Sequence, residues 1–572
     1  MQSYEQCKYV LRGILGSMQK SCVSCSAPFD ISDEDSALLK RLSPMLNGEV
    51  FDLPDPVDCS ECRHQRRMSF RNERNLYRRK CDVTGKDIIS IFRQDSPHKV
   101  CDKDHWYSDK FDASAYGRDY DFSISFFEQF RKLELEMPMP SLRVELAENC
   151  DFNNDLRDCK NCYLCTRTHQ SQNLLYTYRG NRSSDSSDCT QITKSELLYE
   201  CVDCYSCYNG RYLFFCSDCT DCSFLLDCKS CMSCFMCTNL RSKQYCFLNE
   251  QLSKEEYEKK IMQFDFGSFD HVEKAYRMYA DIKKKALRRD LLIVNSEGCT
   301  GDNIVNCKDC KNCFSVQDSE GCHYLWDVKC YKDSMDCYSG GRNCELIYSS
   351  TAGAASYNVQ FCLRTSECND VLYSFFLNSC KNCFGCIGLN RSKYCILNKE
   401  YSENEYADLI PKIVEHMKSN GEWGKFFPPQ CSLFAYNETV AHEYFPLTHD
   451  QSVEIGYRWN EDNQKDYQSQ TYRIPDNIKE VRDDILETTL ACVCCKKNYK
   501  IVPAELKLYR EHANAIPRLC IDCRHLRRLQ TRNPMRTRED SCKKCSKSII
   551  TSYPENIDTQ IYCEQCYLKE VY

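Results

Sequence analysis

Several things that most enzymes and membrane proteins carry are missing from this 572-residue chain. Histidine occurs 11 times. There is no HExxH pair, no GxSxG elbow and no Gly-rich phosphate loop. No catalytic residue can be named, so the expectation is a protein that is not an enzyme, with no small-molecule substrate evident. No apolar run approaches the roughly 20 residues that span a bilayer, which predicts no membrane association. The opening MQSYEQCKYVLRGILGSMQK lacks an apolar core followed by a small-residue cleavage site, which predicts cytoplasmic residence. Net charge is −7 with pI near 6.0, which excludes a globally basic nucleic-acid binder.

Cysteine is what the chain has in excess, 47 residues in all. At this density a small secreted protein would be a disulfide framework. Here the count is odd, the pairs are CxxC, and the length suits about three to five domains. These features point to a reducing compartment and to metal.

The two ends match each other. CSECRHQRRMSFRN (59–72) returns as CIDCRHLRRLQTRN (520–533), at a constant offset of 461. Each follows an earlier CxxC. Two such turns aim four sulfurs at one ion, the ligand set of a structural zinc site. Three sets are predicted: Cys22, Cys25, Cys59 and Cys62; Cys492, Cys495, Cys520 and Cys523; and Cys542, Cys545, Cys563 and Cys566. The cofactor expected is therefore zinc, in three structural Cys₄ sites. An N-terminal counterpart of the third set is degenerate. Cys81 and Cys101 remain, while Thr84 and Asp104 stand at the other two positions. His98 or His105 could complete a ligand set there, but loss of the metal is the expectation. Cys494 reads as a spare thiol.

The middle holds 16 cysteines from Cys150 to Cys246 and 14 from Cys299 to Cys395. It is a duplication: CMSCFMCTNLRSKQYCFLN (231–249) matches CKNCFGCIGLNRSKYCILN (380–398) at an offset of 149. A capping-box pattern follows each copy, Ser253 with Glu256 and Ser402 with Glu405. All 16 cysteines of the first copy fall at positions divisible by three. A strand of period 2 or a helix of period 3.6 would scatter them over several faces. A chain that turns a corner every few residues keeps them on one side, which predicts a β-solenoid with rungs in multiples of three. The second copy changes phase several times, as loop insertions would cause. Apolar neighbours, as in CFMC, and preceding Asp or Asn residues suit thiols that fill a narrow core behind Asx turns. Additional zinc sites and iron–sulfur clusters are the rival readings. Cys228, Cys231, Cys234 and Cys237 step evenly by three, unlike the ferredoxin run with its longer last step and proline.

The fold expected is mainly β with some helix: terminal zinc ribbons or treble-clef-like modules flanking the duplicated solenoid. The modules run 1–110 (a zinc ribbon plus a degenerate second one), 111–149 (connector), 150–290 (first Cys-rich repeat with closing helices), 291–420 (second repeat with its closing helix), 421–485 (mixed connector) and 486–572 (tandem ribbons). Amphipathic helices are predicted over LSKEEYEKKIMQF and residues 269–290, packed at the solenoid end, and another near IPDNIKEVRDDILET. CVSC…CSECRHQRR resembles the zinc-ribbon domain family. The whole layout, including HWYSDKFDASAYGRDYDF and YCEQCYLKEVY, is similar to Cys-rich proteins of candidate-phyla (Patescibacteria-type) bacteria. The resemblance implies zinc binding and cytoplasmic residence and carries over no activity.

Two functions follow. Residues 58–80 hold eight basic side chains against three acidic ones, and residues 520–539 hold six arginines against two acids. Arg63, Arg66, Arg67 and Arg71, with Arg524, Arg527, Arg528 and Arg532, are candidate phosphate contacts for RNA, DNA or the ribosome. The plainer reading pairs them with the acidic middle of the same chain. The alternative function is a protein-interaction scaffold or adaptor, with the ribbons as caps on the solenoid.

Overall fold

The structure is a computed structural model that describes residues 18–46, 48–461, 467–555 and 559–572. The opening stretch read for a leader sequence lies almost wholly outside these residues. The described chain is mainly β, with two Cys-rich solenoids and knuckle-and-helix modules toward both termini. It forms two compact units, and neither is continuous in sequence. One unit joins residues 1–141 to 291–461; the other joins 142–290 to 462–572. Each solenoid is thus paired with the terminal module farther from it along the chain.

The three-residue period has a local cause. From Leu146 to Leu248 a residue with positive φ recurs at almost every third position, for example Asp218, Asp221, Phe224 and Asp227 at 51–57°. Each such residue turns the chain through a corner, and the residue after it points inward. Four sides of three residues close one turn, so each strand pairs in parallel with the strand twelve residues on: Thr166 with Tyr178, Tyr178 with Thr190, Thr190 with Val202. Left-handed backbone costs an L-residue about 1–2 kcal/mol, and Asn and Asp tolerate it best. They recur at the corners and stack as amide ladders, with Asn149, Asn161, Asn173 and Asp185 joined in sequence at 2.8–3.2 Å.

The interior of so narrow a coil accepts small side chains and asks them to hydrogen-bond. Many inward cysteine side chains sit between the carbonyl two residues behind them and the carbonyl nine ahead. Cys219 Sγ donates to the Ser217 carbonyl (3.3 Å) or that of Cys228 (3.4 Å). Many inward side chains also accept the inward N–H of the next turn: Leu198 N–H meets Ser186 Oγ at 2.9 Å, Leu213 N–H meets Cys201 Sγ at 3.4 Å, and Asn398 N–H meets Cys386 Sγ at 3.4 Å. Cysteine suits this place because it is apolar in bulk yet both a weak donor and a weak acceptor. The thiols therefore do more than fill space. Burial pushes Cys204, Cys228, Cys313 and Cys322 up, which keeps the proton on the donor. Where leucine enters, glycine makes room: a Cβ on Gly210 would lie 2.4 Å from Leu213 Cδ1 and 3.0 Å from Leu198 Cδ2.

The second solenoid changes phase twice, and one of the two changes is a deletion rather than an insertion. Ile293 pairs with Ile304, a turn one residue short, and Tyr331 pairs with Cys344, a turn one residue long at two successive left-handed residues, Arg342 and Asn343. In the frame set by the first change Cys330 falls on a left-handed corner, half-buried, instead of inside.

Both solenoids end alike, in Leu248–Asn249 and Leu397–Asn398. The asparagine closes the last turn onto Thr238 or Ile387, and a short antiparallel hairpin and a capped helix follow. Of the two expected helices, Lys254–Ile261 sits by the last turn through Tyr257 and Tyr245. Phe269–Lys285 runs along the side instead, its Tyr279 against Phe214 and Phe224. The third, near Ile478–Glu487, is two short 3₁₀ turns interrupted at Val481–Arg482.

Candidate metal centres

Each terminal module is built the same way. A two-stranded hairpin carries the first CxxC at its turn: Met18–Ser21 with Pro28–Ile31, Leu490–Ala491 with Asn498–Tyr499, and Arg538–Ser541 with Ser548–Thr551. The turn needs a left-handed residue after the second cysteine, supplied by Ser26, Lys496 and Ser546. The second CxxC opens a helix. Cys59, Cys520 and Cys563 are the N-cap residues of Ser60–Met68, Ile521–Leu529 and Glu564–Val571. A helix N-terminus favours the thiolate form that a metal requires.

The sulfurs converge in three quartets: Cys22, Cys25, Cys59 and Cys62; Cys492, Cys495, Cys520 and Cys523; and Cys542, Cys545, Cys563 and Cys566. Within each, all four Sγ atoms lie within 4.8 Å of one another. Cys25 and Cys59 are 3.8 Å apart, Cys495 and Cys520 3.6 Å, and Cys545 and Cys563 3.8 Å. A tetrahedral zinc with bonds of about 2.3 Å places its sulfurs about 3.8 Å apart, so the quartets fit that ion as they stand. Burial raises Cys492 and Cys542, but backbone N–H groups outweigh it. Those of Cys520, Cys495 and Cys494 act on Cys492, and those of Cys563, Cys545 and Lys544 act on Cys542. Both thiols are held at about 6. Four protein ligands complete each set and leave no open position for substrate, the arrangement of a structural site.

The degenerate module keeps the architecture. Cys81 sits at a hairpin turn between Tyr77–Lys80 and Asp87–Ser90, and its sulfur accepts the Asp102 N–H at 3.1 Å, as Cys22 accepts that of Cys59 at 3.3 Å. Thr84 donates its N–H to Cys81 Sγ, Asp104 pairs with Lys103, and His98 is bound to Glu134 at 2.8 Å. Among the described residues, the groups able to hold a metal are the three terminal quartets. Cys494 is exposed beside its quartet.

The candidate phosphate-binding arginines are placed elsewhere than on a free surface. The helices stop at Met68 and Leu529, short of Arg71 and Arg532. Each lies against the solenoid of its own unit. Asp336 takes Arg63 at 2.7 Å and Arg67 at 3.0 Å. Asp188 takes Arg524 at 2.5 Å and Arg528 at 3.0 Å. Arg527 reaches Glu200 at 2.9 Å, Arg532 reaches Asp203 at 3.1 Å, and Arg71 binds Glu73 at 2.7 Å. Arg67, Arg71, Arg524 and Arg528 are at most 2% exposed; Arg66 is half-buried. Burial alone would raise Glu200, yet Arg527, Arg528 and Arg524 together hold it below its usual range.

Sequence reasoning missed the acids that make these latches. Asp188 and Asp336 occupy corner positions equivalent in the two copies. The available signal was an acid at the same point of a duplicated lattice facing duplicated arginines.

No protein-family model matches the chain, and no curated protein matches it. Among solved structures, one described as a "putative acetyltransferase" from Desulfovibrio desulfuricans G20 is similar at 9% identity over 48% of this chain and 81% of that one. Its TM-score of 0.10 carries no argument about fold or activity. The resemblance to zinc-ribbon proteins therefore rests on the motifs quoted above.

Proposed function

We propose that this is a non-enzymatic scaffold protein in which three structural zinc ions hold the terminal modules and two solenoids present the binding surface to a protein partner. The observation that carries the reading is the pairing of complete thiol quartets with arginines turned inward. Metal and charge both serve to fasten a helix to a solenoid. That use supports the scaffold over the nucleic-acid reading, because a buried guanidinium already bound to carboxylate has little to offer a phosphate. Reduced thiols are needed for the interior hydrogen bonds, which favours a reducing compartment such as the cytoplasm. Among the described residues no helix is long and apolar enough to cross a membrane.

The surface on offer is regular. Tyr205 and Tyr208, each 45% exposed, stand on adjacent sides of the first solenoid, with Met232, 36% exposed, on the same row as Tyr208. Exposed aromatics with a flexible methionine are the composition of protein interfaces. Affinity capture with the full chain tests the proposal. A protein that co-purifies after nuclease treatment and is lost with Tyr205→Lys/Tyr208→Lys supports it. A salt-dependent shift of labelled RNA or DNA, abolished by Arg66→Gln and Arg527→Gln, would restore the nucleic-acid reading.

A further inference from the structure

The two latches differ at one position. Asp188 and Asp336 are matching left-handed corners; the next turn places Glu200 beyond Asp188 and Ser349 beyond Asp336. Arg524, Arg527 and Arg528 correspond to Arg63, Arg66 and Arg67 at the offset of 461. Glu505 and Asp35 correspond as well: each is the N3 residue of its helix, accepts the N-cap N–H, and accepts a hydrogen bond from the matching tyrosine, Tyr176 or Tyr324. In the unit that holds the C-terminal module, Glu200 takes Arg527 at 2.9 Å and Arg528 at 3.3 Å. Three guanidinium groups there meet three carboxylates, those of Asp188, Glu200 and Glu505.

The other unit lacks one of those carboxylates. Ser349 replaces Glu200, Asp35 is bound to His323 at 2.6 Å, and Asp336 alone receives both Arg63 and Arg67. Arg66 donates its Nε to the Tyr457 hydroxyl at 3.2 Å. At Ser349 the structure has a cavity of about 710 Å³ lined by Arg63, Arg66, Arg67, Tyr348 and Trp423, with Lys418 and Lys425 also on its wall. The acids that line it are otherwise engaged or exposed. Asp55 pairs with Lys20 at 3.2 Å, Asp58 accepts from Ser24, Glu422 accepts the N–H groups of Phe126 and Phe127, and Asp52 is exposed.

We propose that this cavity binds a small-molecule carboxylate, its oxyanion held by Arg66 and Arg67 as Glu200 is held by Arg527 and Arg528, and its apolar body set against Tyr348 and Trp423. Paired guanidinium groups suit a planar carboxylate, and the aromatic wall suits an apolar or aromatic body. A phosphate group could meet the same arginines, so the test separates the two.

Thermal melting of the full chain, zinc included, is followed at fixed ionic strength as chloride is replaced by benzoate or by inorganic phosphate. Benzoate is expected to raise the melting temperature along a saturating curve. Arg66→Gln is expected to abolish the response with zinc content unchanged, and Ser349→Glu to abolish it while raising the melting temperature without ligand. Identical melts in benzoate and chloride, or a benzoate response retained in both variants, overturn the proposal. A response to phosphate without one to benzoate overturns the carboxylate assignment.

Discussion

Cys59 and Cys219 each stand three residues from another cysteine, yet the surroundings give them different work. Cys59 opens a helix and faces three sulfurs that belong to a hairpin turn and its own helix. Cys219 follows a left-handed corner and faces backbone carbonyls of its own and the next turn. The lesson is that CxxC is two motifs. Spacing puts two thiols near each other, and the backbone decides whether they meet a metal or a peptide group. The terminal quartets form where a tight hairpin and a helix start can both be brought to one point. In the solenoid every corner is alike, so the thiols spread into columns.

Metal removal is expected to separate the two populations most strongly. Structural zinc is worth about 10–16 kcal/mol in small domains. A strong chelator should therefore unfold the terminal modules, seen as rapid amide exchange in Ser60–Met68 and Ile521–Leu529, while amides of the solenoid strands stay protected. Simultaneous loss of both would mean that the columns also depend on metal.

The latches come next. Removing one partner of a buried ion pair costs about 3–5 kcal/mol. Asp188→Ala and Asp336→Ala should each lower stability to urea by about that much, and Arg66→Ala, with a half-buried side chain and no acid, by far less. Equal losses in all three would deny the latch its special place.

Interior hydrogen bonding gives a smaller effect. Ser374 Oγ donates to the Leu372 carbonyl and accepts the Cys386 N–H at 3.0 Å. Ser374→Ala leaves a buried N–H unmet and should cost about 1–3 kcal/mol, whereas Ser374→Cys should cost less. The reverse order would reduce the interior residues to mere volume.

Acid should act on Glu200, whose carboxyl is held below its usual range. Its contribution is complete above the ordinary glutamate pKa and is lost as pH falls through the lower folded value. Protection of the Ile521–Leu529 amides, taken relative to the intrinsic exchange rate at each pH, should therefore fall on acidification through and below that range, and Glu200→Gln should remove that part of the dependence. Cys494→Ser, at an exposed position beside a quartet, should change stability by no more than about 0.5 kcal/mol.

Much of this was legible in the sequence because it is local or periodic. The quartets are written as paired CxxC runs, and a cysteine at every third position admits few backbones other than one with a corner every three residues. The closing helices announce themselves through Ser253 with Glu256 and Ser402 with Glu405. What was hidden is long-range. Nothing local says that the module at Cys59 belongs with Asp336 and the one at Cys520 with Asp188, so in the sequence the arginines stand open between a basic surface and a pairing with the acidic middle, with no acid named. The fate of Cys330 depends on the one-residue deletion upstream of it, which has meaning only once the preceding turn is placed. Tyr212 and Phe224 at left-handed corners run against propensity, and it is their packing with Tyr199, Tyr276 and Tyr279 that makes up the difference.

Metal stoichiometry on protein purified without added metal is the most direct test of the division between the two kinds of thiol. Three zinc ions per chain are expected, one for each quartet, with the number falling by one when Cys59→Ser or Cys563→Ser breaks a set and unchanged by Cys219→Ser. Six or more ions per chain, an iron chromophore, or loss of metal with Cys219→Ser would contradict it.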